Sequence, residues 1–522
     1  MSNHPIDVLV VGAGPAGATL AIDLRRRGHT VRIIDASRGA FDGSRAKGVQ
    51  PRTLEVLEDL DTINDVLAGG STYPLMGIHF GPLTAPWSMN KTRRPRPGVP
   101  YPNTWLIPQD RTNAALHASL GRLGLVAEFG KTLTALTQDD EVVTATIQQS
   151  DGPAGEPEQV AARYLVGADG ASSRVRKALG IEFAGSTDDA DRVIIADAET
   201  SGLSRNRWHV WPGLGRTFVG ACPLPHSEAF QWMIRISPEE TPDLGHDAIR
   251  RRIADRIGSR VSLGEISWTS VFRPNIRLAG SYRQGRVFIT GDAAHVHTPA
   301  GAQGLNTGIQ DSYNLGWKLS QVMAGAPDAL LDSYEAERRP IAAAVLGLST
   351  KKYEGLGTLD LSSITRGDAE QQLGVNYRHS PLTGPVGQTG RLQVGDRAPD
   401  ARLTTASGTP RRLFDVFHGP QFTLIGFGAA TSTDVADVAW PDAGAGLTRI
   451  VITAEASTHL GDPAVLHLVD TLGEFADVYR PDPGTLLLVR PDGYLAAIID
   501  RTTAAALTAA TAPLHPSLRT HE

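Results

Sequence analysis

The chain of 522 residues is very poor in cysteine, since Cys222 is the only one. An intrachain disulfide is therefore impossible, and metal sites built from several thiolates are excluded. Long apolar runs are also missing, and no basic region with a cleavage site precedes the first apolar stretch. These absences predict a soluble, cytosolic protein without a membrane partner, whose redox chemistry would need a bound cofactor.

Positive charge is not in excess either. The chain has 50 Lys and Arg against 56 Asp and Glu, which gives a formal net charge of −6. The one cationic cluster, Lys91 to Arg96, is short and interrupted by proline, which is typical of a surface loop. The sequence therefore predicts no nucleic-acid partner. Its length predicts two or three domains.

A glycine-rich turn follows the first apolar segment. Residues 12–17 read Gly-Ala-Gly-Pro-Ala-Gly and open a segment rich in Ala and Leu. A strand, such a turn and a helix in this order form a dinucleotide-binding fingerprint. Gly12 permits the tight turn, Gly14 lets a pyrophosphate approach the backbone, and Gly17 lets the helix pack on the strand. Asp35 ends the next apolar strand, where its carboxylate is placed to accept hydrogen bonds from a ribose.

Two later segments are typical of the same kind of site. The buried strand from Tyr164 ends in Ala168-Asp169-Gly170, and the strand from Arg286 ends in a segment, 290–295, that reads Thr-Gly-Asp-Ala-Ala-His. Together with the first turn, these segments indicate a site for one dinucleotide. Because no second G-x-G-x-x-G follows a strand, a nicotinamide would have no Rossmann fold of its own.

The chain changes character several times. An α/β pattern with helices near Arg52 to Leu60 and Asp110 to Leu123 gives way, at 185–275, to short alternating strands that predict an inserted antiparallel sheet. The stretch from Tyr73 to Trp105 has no clear period. A long helical region then runs to about Leu348, and a new α/β unit begins near Val394.

With these segments in place, the chain resembles the flavin-dependent aromatic hydroxylases of the p-hydroxybenzoate hydroxylase type over about residues 5–350. It is most similar to the subgroup that acts on phenols and on polyketide antibiotics, including anthracycline, angucycline, tetracycline and rifampicin monooxygenases. That subgroup also carries a C-terminal thioredoxin-like domain, which residues 394–399 and 488–494 resemble.

The resemblance implies an α/β fold of three domains. A Rossmann-like FAD-binding domain would comprise residues 1–72, 104–184 and 276–390, and an antiparallel substrate-binding domain residues 73–103 and 185–275. A thioredoxin-like domain would follow at 391–522. Because that domain lacks cysteine it cannot exchange thiols, which favours a role in packing or in a homodimer.

The resemblance also implies the residues that hold FAD. These are Gly12, Gly14, Pro15, Ala16, Gly17, Asp35, Arg45, Gln109, Arg111, Asp169, Gly291, Asp292, Pro299, Gly304, Leu305 and Asn306. Arg45 and Arg111 would contact phosphate, although either is open to interpretation as a surface ion pair. Asp169 would serve FAD and nicotinamide, and the alternative is an aspartate that only makes a turn.

The loop from Pro299 to Asn306 would run beside the isoalloxazine ring, and Arg45, Pro299 and Gly301 are assigned to the reaction centre. Backbone amides at Leu305 and Asn306 would stabilise negative charge on the reduced ring. A glycine loop that merely caps a helix is the alternative. The implied reaction uses NADPH or NADH and dioxygen, and a C4a-hydroperoxyflavin transfers oxygen to a phenolic, polycyclic, antibiotic-like substrate.

Period-two alternation in the inserted sheet predicts the substrate-facing side chains. These are Trp208, Val210, Phe218, Gly220, Cys222 and Trp232. The same aromatic residues are also typical of an ordinary core. The sequence does not reveal which base or cation would activate the substrate hydroxyl.

Other functions receive less support from the sequence. His295 and His297 suggest a metal pair, but no convincing third ligand accompanies them. A Baeyer–Villiger oxygenase acting on a polyketide ketone stays open, because the same flavin chemistry serves both reactions. A flavin-loaded protein that only sequesters an aromatic ligand is the alternative outside enzymes.

Overall fold

The structure is a computed structural model. It describes residues 5–89, 91–150, 156–213, 217–258, 261–298, 302–356, 367–383, 388–456, 462–499 and 511–515. Three large sheets organise these residues, and we name them the N-terminal, middle and C-terminal sheets.

The N-terminal sheet has eight strands around a parallel centre. Its main path runs through Arg283–Gln284, Val287–Ile289, Glu158–Gly167, Ile6–Val11, Val31–Asp35 and Glu128–Phe129, while Val143–Gln149 and Lys131–Gln138 extend it from Glu158–Gly167. Apolar side chains such as Val8, Leu9 and Val10 are fully buried, as expected for parallel strands covered on both faces. Four helices belong to this unit: Pro15–Arg26, Gln109–Arg122, Gly304–Met323 and Ala329–Leu356. The predicted α/β class is confirmed.

The middle sheet has seven strands. Their order is Ser262–Phe272, Arg192–Ser201, Ala229–Ile236, Phe218–Pro223, Arg207–Pro212, Leu75–Phe80 and Leu83–Trp87. The helix His246–Ile257 covers one face through Ile249 and Ile253. The last two strands come from the stretch in which the sequence showed no period, so that stretch supplies an edge of the sheet.

The C-terminal sheet also has seven strands. Their order is Pro410–Arg412, Arg402–Thr405, Leu466–Val469, Leu447–Thr453, Phe422–Phe427, Leu486–Val489 and Leu495–Ile499. Its three central strands, from Leu466 to Phe427 in that order, are parallel. One face packs against Trp317 and Leu330, which belong to the long helices that follow the N-terminal sheet. The thioredoxin-like assignment stays a prediction.

Smaller elements connect the sheets. Short helices lie at Pro51–Asp59, Ile63–Ala68, Arg174–Ala178, Leu413–Phe417, Ser432–Ala436 and Glu474–Tyr479, and 3-10 turns at Gly291–Ala293 and Ala429–Thr431. Short strands pair in three groups, namely Phe183–Thr187 with Asn275–Ala279 and His295–Val296, Gly48–Val49 with Trp105–Leu106 and Ser71–Thr72, and Gln388–Thr389 with Leu392–Gln393. Among the described residues, no helix combines the length and the apolar character needed to cross a membrane.

Candidate functional site

The first glycine turn is set by close packing. Gly12 has a φ of +107°, and a Cβ there would lie 2.2 Å from the carbonyl oxygen of Ala168. A Cβ on Gly17 would lie 1.9 Å from the carbonyl oxygen of Gly12. By contrast, no described atom lies within 4 Å of a Cβ built on Gly14. The turn is therefore closed on the protein side and open where Gly14 faces outward.

The helix Pro15–Arg26 begins at this opening. Its first turn, all of it described, has neither an acidic side chain nor a side-chain cap. The first amides of a helix have no intrahelical acceptor and carry partial positive charge. This helix start is thus suited to a bound anion such as a pyrophosphate.

Asp35 lies beside the same turn. Its Oδ2 accepts a hydrogen bond from the amide of Ala13 at 2.8 Å, and its Oδ1 accepts from the amide of Ser37 at 2.8 Å and the hydroxyl of Ser37 at 2.5 Å. The carboxylate is half-buried at the end of the strand Val31–Asp35. A carboxylate has about four acceptor positions, so these bonds leave it able to accept from a ribose hydroxyl.

The segment that starts at Gly291 meets the first turn. A Cβ on Gly291, whose φ is +58°, would lie 3.0 Å from Cβ of Ala16 and 3.6 Å from Cα of Gly308. The neighbouring Asp292 is exposed. Two of the predicted segments therefore contact each other, and both lie against the helix Gly304–Met323.

The beginning of that long helix forms the inner end of the site. A Cβ built on Gly304 would lie 3.2 Å from Nε2 of His297 and 4.0 Å from Oδ1 of Asp292. The side chain of Asn306 accepts from the amide of Gln50 at 2.7 Å and donates to the carbonyl of Gly48 at 2.8 Å. Asn306 thus fixes the segment Gly48 to Gln50 across the helix start. Leu305 is half-buried there, while the predicted residues Pro299 and Gly301 lie outside the described residues.

A buried ionic network supports this region from behind. His295 and Asp311 are linked at 2.6 Å, and Arg338 Nε donates to the other oxygen of Asp311 at 2.6 Å. Burial raises the pKa of Asp311, but the charges of Arg338 and His295 outweigh it and hold that pKa below its ordinary value. His295 is therefore tied into the protein interior, which explains its place in the motif without a metal.

Asp169 lies just before the short helix Arg174–Ala178. Its Oδ1 accepts from the hydroxyl of Ser173 at 2.5 Å and its Oδ2 from the amide of Arg174 at 2.7 Å. These bonds make the turn that the sequence analysis gave as the alternative, while the role of Asp169 toward FAD and nicotinamide stays a prediction. Arg176, which the sequence analysis did not single out, is buried and donates to the carbonyl of Ala293 at 2.8 Å. The arginine therefore joins this segment to the one at Gly291.

The Ser44 and Gln109 segments lie together, since Oε1 of Gln109 accepts from the amide of Ala46 at 3.2 Å. Arg45 is exposed. Arg111 instead donates to main-chain carbonyls, those of Pro225 at 2.7 Å and His226 at 3.0 Å among them. The predicted phosphate contact of Arg111 is therefore not favoured, because its guanidinium is used in holding the 225–226 turn.

The middle sheet places most of the predicted substrate residues on one face. Trp208 and Cys222 lie in one buried apolar cluster, with Val210 and Met233 packed against it. Gly220 shares the face through its pairing with Val210 and Met233. Phe218 lies two residues earlier on the same strand and therefore points to the same side.

Trp232 was wrongly predicted to belong to this face. It pairs with Ala221, whose side chain lies on the opposite face from those of Gly220 and Cys222. Trp232 therefore lies on that opposite face as well. There it is fully buried, stacks on Trp211 with ring centroids 6.2 Å apart, and donates to Thr200 at 3.0 Å. The strand register instead places Gln231 and Met233 on the face that carries Cys222 and Gly220.

Comparison with known protein families agrees with this geometry. The family described as "FAD binding domain" matches residues 5–349, which is most of the chain. The chain belongs to this FAD-binding-domain family. A second family, described as "HcaD C-terminal domain", matches residues 395–513.

Relatives of this FAD-binding-domain protein are flavoenzymes. A flavin-dependent monooxygenase of Mycobacteroides abscessus is 39% identical over 505 residues, which are 94% of this chain and 97% of the relative. The 12-dehydrotetracycline 5-monooxygenase/anhydrotetracycline 6-monooxygenase of Streptomyces rimosus is 33% identical, with 94% of each chain covered. The protein is a flavin-dependent monooxygenase that uses FAD.

Solved structures show the same fold. The OxyS anhydrotetracycline hydroxylase of Streptomyces rimosus has a TM-score of 0.73 and 31% identity, with 98% of this chain and 99% of that chain covered. The flavin-dependent monooxygenase PieE, solved in complex with FAD and substrate, has a TM-score of 0.84 at 24% identity, with the same coverage of 98% and 99%. The fold of this FAD-binding-domain protein is therefore that of the flavin hydroxylases.

One group of polar residues in this flavoprotein was missed by the sequence analysis. Lys47 extends to the face of the middle sheet that carries Trp208 and donates to Gln231. Gln231 in turn donates to Ser44 at 2.6 Å, and Ser44 donates to Asp197 through its amide at 2.8 Å. Residues this far apart in sequence gave no common pattern. The only local signal was a lysine within a segment that is otherwise rich in small and apolar residues.

Proposed function

We propose that this monooxygenase hydroxylates a phenolic, polycyclic substrate of the polyketide or antibiotic-like kind. The observation that carries the proposal is the apolar, aromatic face of the middle sheet, which lies on the side of the Gly48 segment. Tyr73 links the sheet face to the Gly48 segment. Its ring centroid lies 6.3 Å from that of Trp208, and its hydroxyl donates to the carbonyl of Lys47 at 2.9 Å. Flat apolar ligands are bound by such aromatic walls. The names of the relatives support the substrate class.

The residues present fit FAD. The open turn at Gly14 and the uncapped helix start at Pro15 would hold the pyrophosphate together with Ala16 and Gly17, and Asp35 would hold the ribose. Gly291 and Asp292 would meet the middle of the cofactor, and the amides of Leu305 and Asn306 would face the isoalloxazine ring. Arg45 and Gln109 stay proposed contacts. When bound, FAD accepts electrons from NAD(P)H and activates dioxygen for insertion into the substrate.

The protein's own residues contribute exclusion of water and orientation. Trp208 is 8% exposed and Cys222 is fully buried, so the sheet side of the proposed site is an apolar surface that would help to exclude water. A dry site strengthens electrostatic contacts and holds the reacting carbon in place. The helix start at Gly304 would stabilise negative charge that develops at the flavin edge.

The proposal is tested by anaerobic reduction of the FAD-loaded protein with NADPH or NADH. Flavin absorbance is followed with and without 2-naphthol and anhydrotetracycline, and the aerobic products are assigned by NMR. We expect a phenol to accelerate reduction and to gain a ring hydroxyl. A ring-expanded lactone or ester would instead establish a Baeyer–Villiger oxygenase. Spectral change without nicotinamide oxidation would point to a ligand-sequestering protein.

A further inference from the structure

Lys47 brings a positive charge to an apolar wall. Its Nζ lies 4.8 Å from the ring centroid of Trp208 and 3.7 Å from Sδ of Met233, and it donates to Oε1 of Gln231. Lys47 itself is only partly exposed. Removing an ammonium from water is unfavourable, so a cation in this setting needs a compensating partner. Trp208 and Gln231 contact the ammonium, and the charge of the buried Asp197 carboxylate also acts on it.

A chain of buried hydrogen bonds fixes the position of the ammonium. Nε2 of Gln231 donates to the carbonyl oxygen and hydroxyl of Ser44, at 3.0 Å and 2.6 Å. Ser44 donates to both oxygens of Asp197, through its amide at 2.8 Å and through its hydroxyl. Because the amide nitrogen of Gln231 faces Ser44, its oxygen must face Lys47. Gln231 and Ser44 are each 1% exposed, so this orientation is held by the protein interior.

The main chain places the same lysine beside the proposed flavin edge. A Cβ on the next residue, Gly48, would lie 3.1 Å from Cβ of Ala302, which lies two residues before the long helix begins at Gly304. Asn306 in that helix donates to the carbonyl of Gly48 at 2.8 Å. The main chain of Lys47 therefore lies beside the proposed flavin edge, and its ammonium lies against the middle sheet. A flat molecule bound between the proposed flavin edge and the middle sheet would have its edge at the ammonium.

We propose that Lys47 binds the hydroxyl oxygen of the phenolic substrate and holds it as the phenolate, with Gln231 as the positioning residue. The inference rests on the proposed function. In this step the phenol O–H bond breaks, the proton passes to solvent water, and the electron pair stays on the oxygen beside the ammonium. A nearby positive charge lowers the pKa of a phenol. The phenolate makes its ring carbons more electron-rich, which is what oxygen insertion requires.

The test compares the FAD-loaded wild type with Lys47→Met, Lys47→Arg and, as a matched control, Lys131→Met, which removes a lysine paired with Glu158 on the outer part of the N-terminal sheet. The probe is 2-naphthol carrying ¹³C at the hydroxyl-bearing carbon, whose chemical shift reports ionisation of the bound phenol. We expect Lys47→Met to raise the pKa of bound 2-naphthol by about one unit or more, which is a tenfold change in the ionisation constant. Lys47→Arg and Lys131→Met should keep the wild-type value.

Turnover gives a second readout, with both 2-naphthol and anhydrotetracycline as probes. In Lys47→Met, kcat/KM at pH 7 should fall about tenfold and recover as pH rises through the pKa of the free phenol, while FAD content is unchanged. A purely structural role would give a loss that pH does not restore, and that result overturns the inference. An unchanged pKa of bound 2-naphthol overturns it as well. If the wild type oxidises neither probe, it is the proposed function that fails. This outcome differs from failure of the Lys47 inference, because the wild type and all variants are then equally inactive.

Discussion

Among single residues, the glycines of the first turn differ in what surrounds them. A Cβ on Gly17 would overlap the carbonyl oxygen of Gly12 at 1.9 Å, whereas a Cβ on Gly14 would meet no described atom within 4 Å. Gly14 also has φ −69°, which alanine adopts without strain. We therefore interpret Gly17 as a requirement of the fold and Gly14 as a requirement of the ligand.

The Gly14→Ala variant should keep the thermal stability of the FAD-free protein and weaken FAD binding about tenfold or more, or roughly 1.4 kcal/mol. Gly17→Ala should instead lower the thermal stability of the FAD-free protein. Differential scanning fluorimetry and FAD titration by fluorescence quenching measure the two effects. Equal FAD affinity in Gly14→Ala and wild type would contradict a pyrophosphate at this turn.

Trp208 gives a second prediction for a single residue. Its ring is 8% exposed and lies on the proposed substrate face, whereas Phe80, on the neighbouring strand, is 56% exposed. Trp208→Ala should weaken binding of 2-naphthol about tenfold, through loss of roughly 1–2 kcal/mol of apolar and stacking contact, with FAD content preserved. Phe80→Ala is the control and should bind 2-naphthol as the wild type does. Loss of FAD from Trp208→Ala would show that the ring supports the cofactor site instead.

The residues that could be predicted from the sequence are those whose role follows from local backbone geometry. Gly12 and Gly17 are examples, because a tight turn next to a strand restricts the residue type wherever it occurs. The partners of Arg111 were not predicted, since they lie in the turn at 225–226, more than a hundred residues away in the sequence. Partners of polar side chains depend on tertiary contacts that a single sequence does not contain.

Secondary-structure elements were predicted where their period is strong. The helices expected near Arg52 to Leu60 and Asp110 to Leu123 occur at Pro51–Asp59 and Gln109–Arg122. The strands Leu75–Phe80 and Leu83–Trp87 were missed. Leu75–Phe80 is buried at three consecutive residues, 76–78, and so does not alternate. Leu83–Trp87 is an edge strand that is exposed along most of its length and contains Pro86. A strand without a buried face leaves no alternating pattern to detect.

The helix Ala329–Leu356 carries a prediction about pH. Glu337 on this helix is fully buried and bonds to Arg490 Nη1 at 2.6 Å and Lys318 Nζ at 2.7 Å. Burial raises the pKa of Glu337, but the charges of Arg490 and Lys318 outweigh it and hold that pKa well below its usual range. A carboxyl with a lowered pKa in the folded state stabilises the protein above its unfolded pKa, about 4.3, and this contribution is lost as pH falls toward the folded value.

Glu337→Gln should lower the free energy of unfolding at pH 7 by about 3–5 kcal/mol, since it removes the carboxylate that pairs with Lys318 and leaves Arg490 with Asp492 alone. The difference from wild type should shrink below about pH 4, because the Glu337 carboxyl of the unfolded wild type is then protonated while the folded one still resists protonation. Urea denaturation of the FAD-loaded protein at both pH values measures this. Asp332→Asn on the same helix is the control, because the Asp332 side chain is 70% exposed and should change stability by less than about 1 kcal/mol. A pH-independent loss in Glu337→Gln would contradict the ionic explanation.

For the whole molecule, the motifs predicted the FAD-binding fold and the added C-terminal unit, but not how that unit is attached. The attachment uses Trp317, whose ring meets Phe422 edge-on at 5.8 Å and has Arg490 at 5.1 Å from its centroid. Trp317 and Phe422 are separated by about a hundred residues and have no common periodicity. Because this contact joins an apolar core to the buried ion pairs of Glu337, we expect the C-terminal sheet and the FAD-binding unit to unfold together.

Calorimetry tests that cooperativity. The wild type should give one unfolding transition, and Trp317→Ala should lower the stability by about 3–5 kcal/mol, because a fully buried indole is replaced by a cavity at the shared core. Leu466→Ala is the matched control, since Leu466 is 40% exposed on a strand of the same C-terminal sheet and should change the transition little. If Trp317→Ala splits the transition in two, the contact is what couples the units. If the wild type already shows two transitions, the units are independent and the tryptophan serves only local packing.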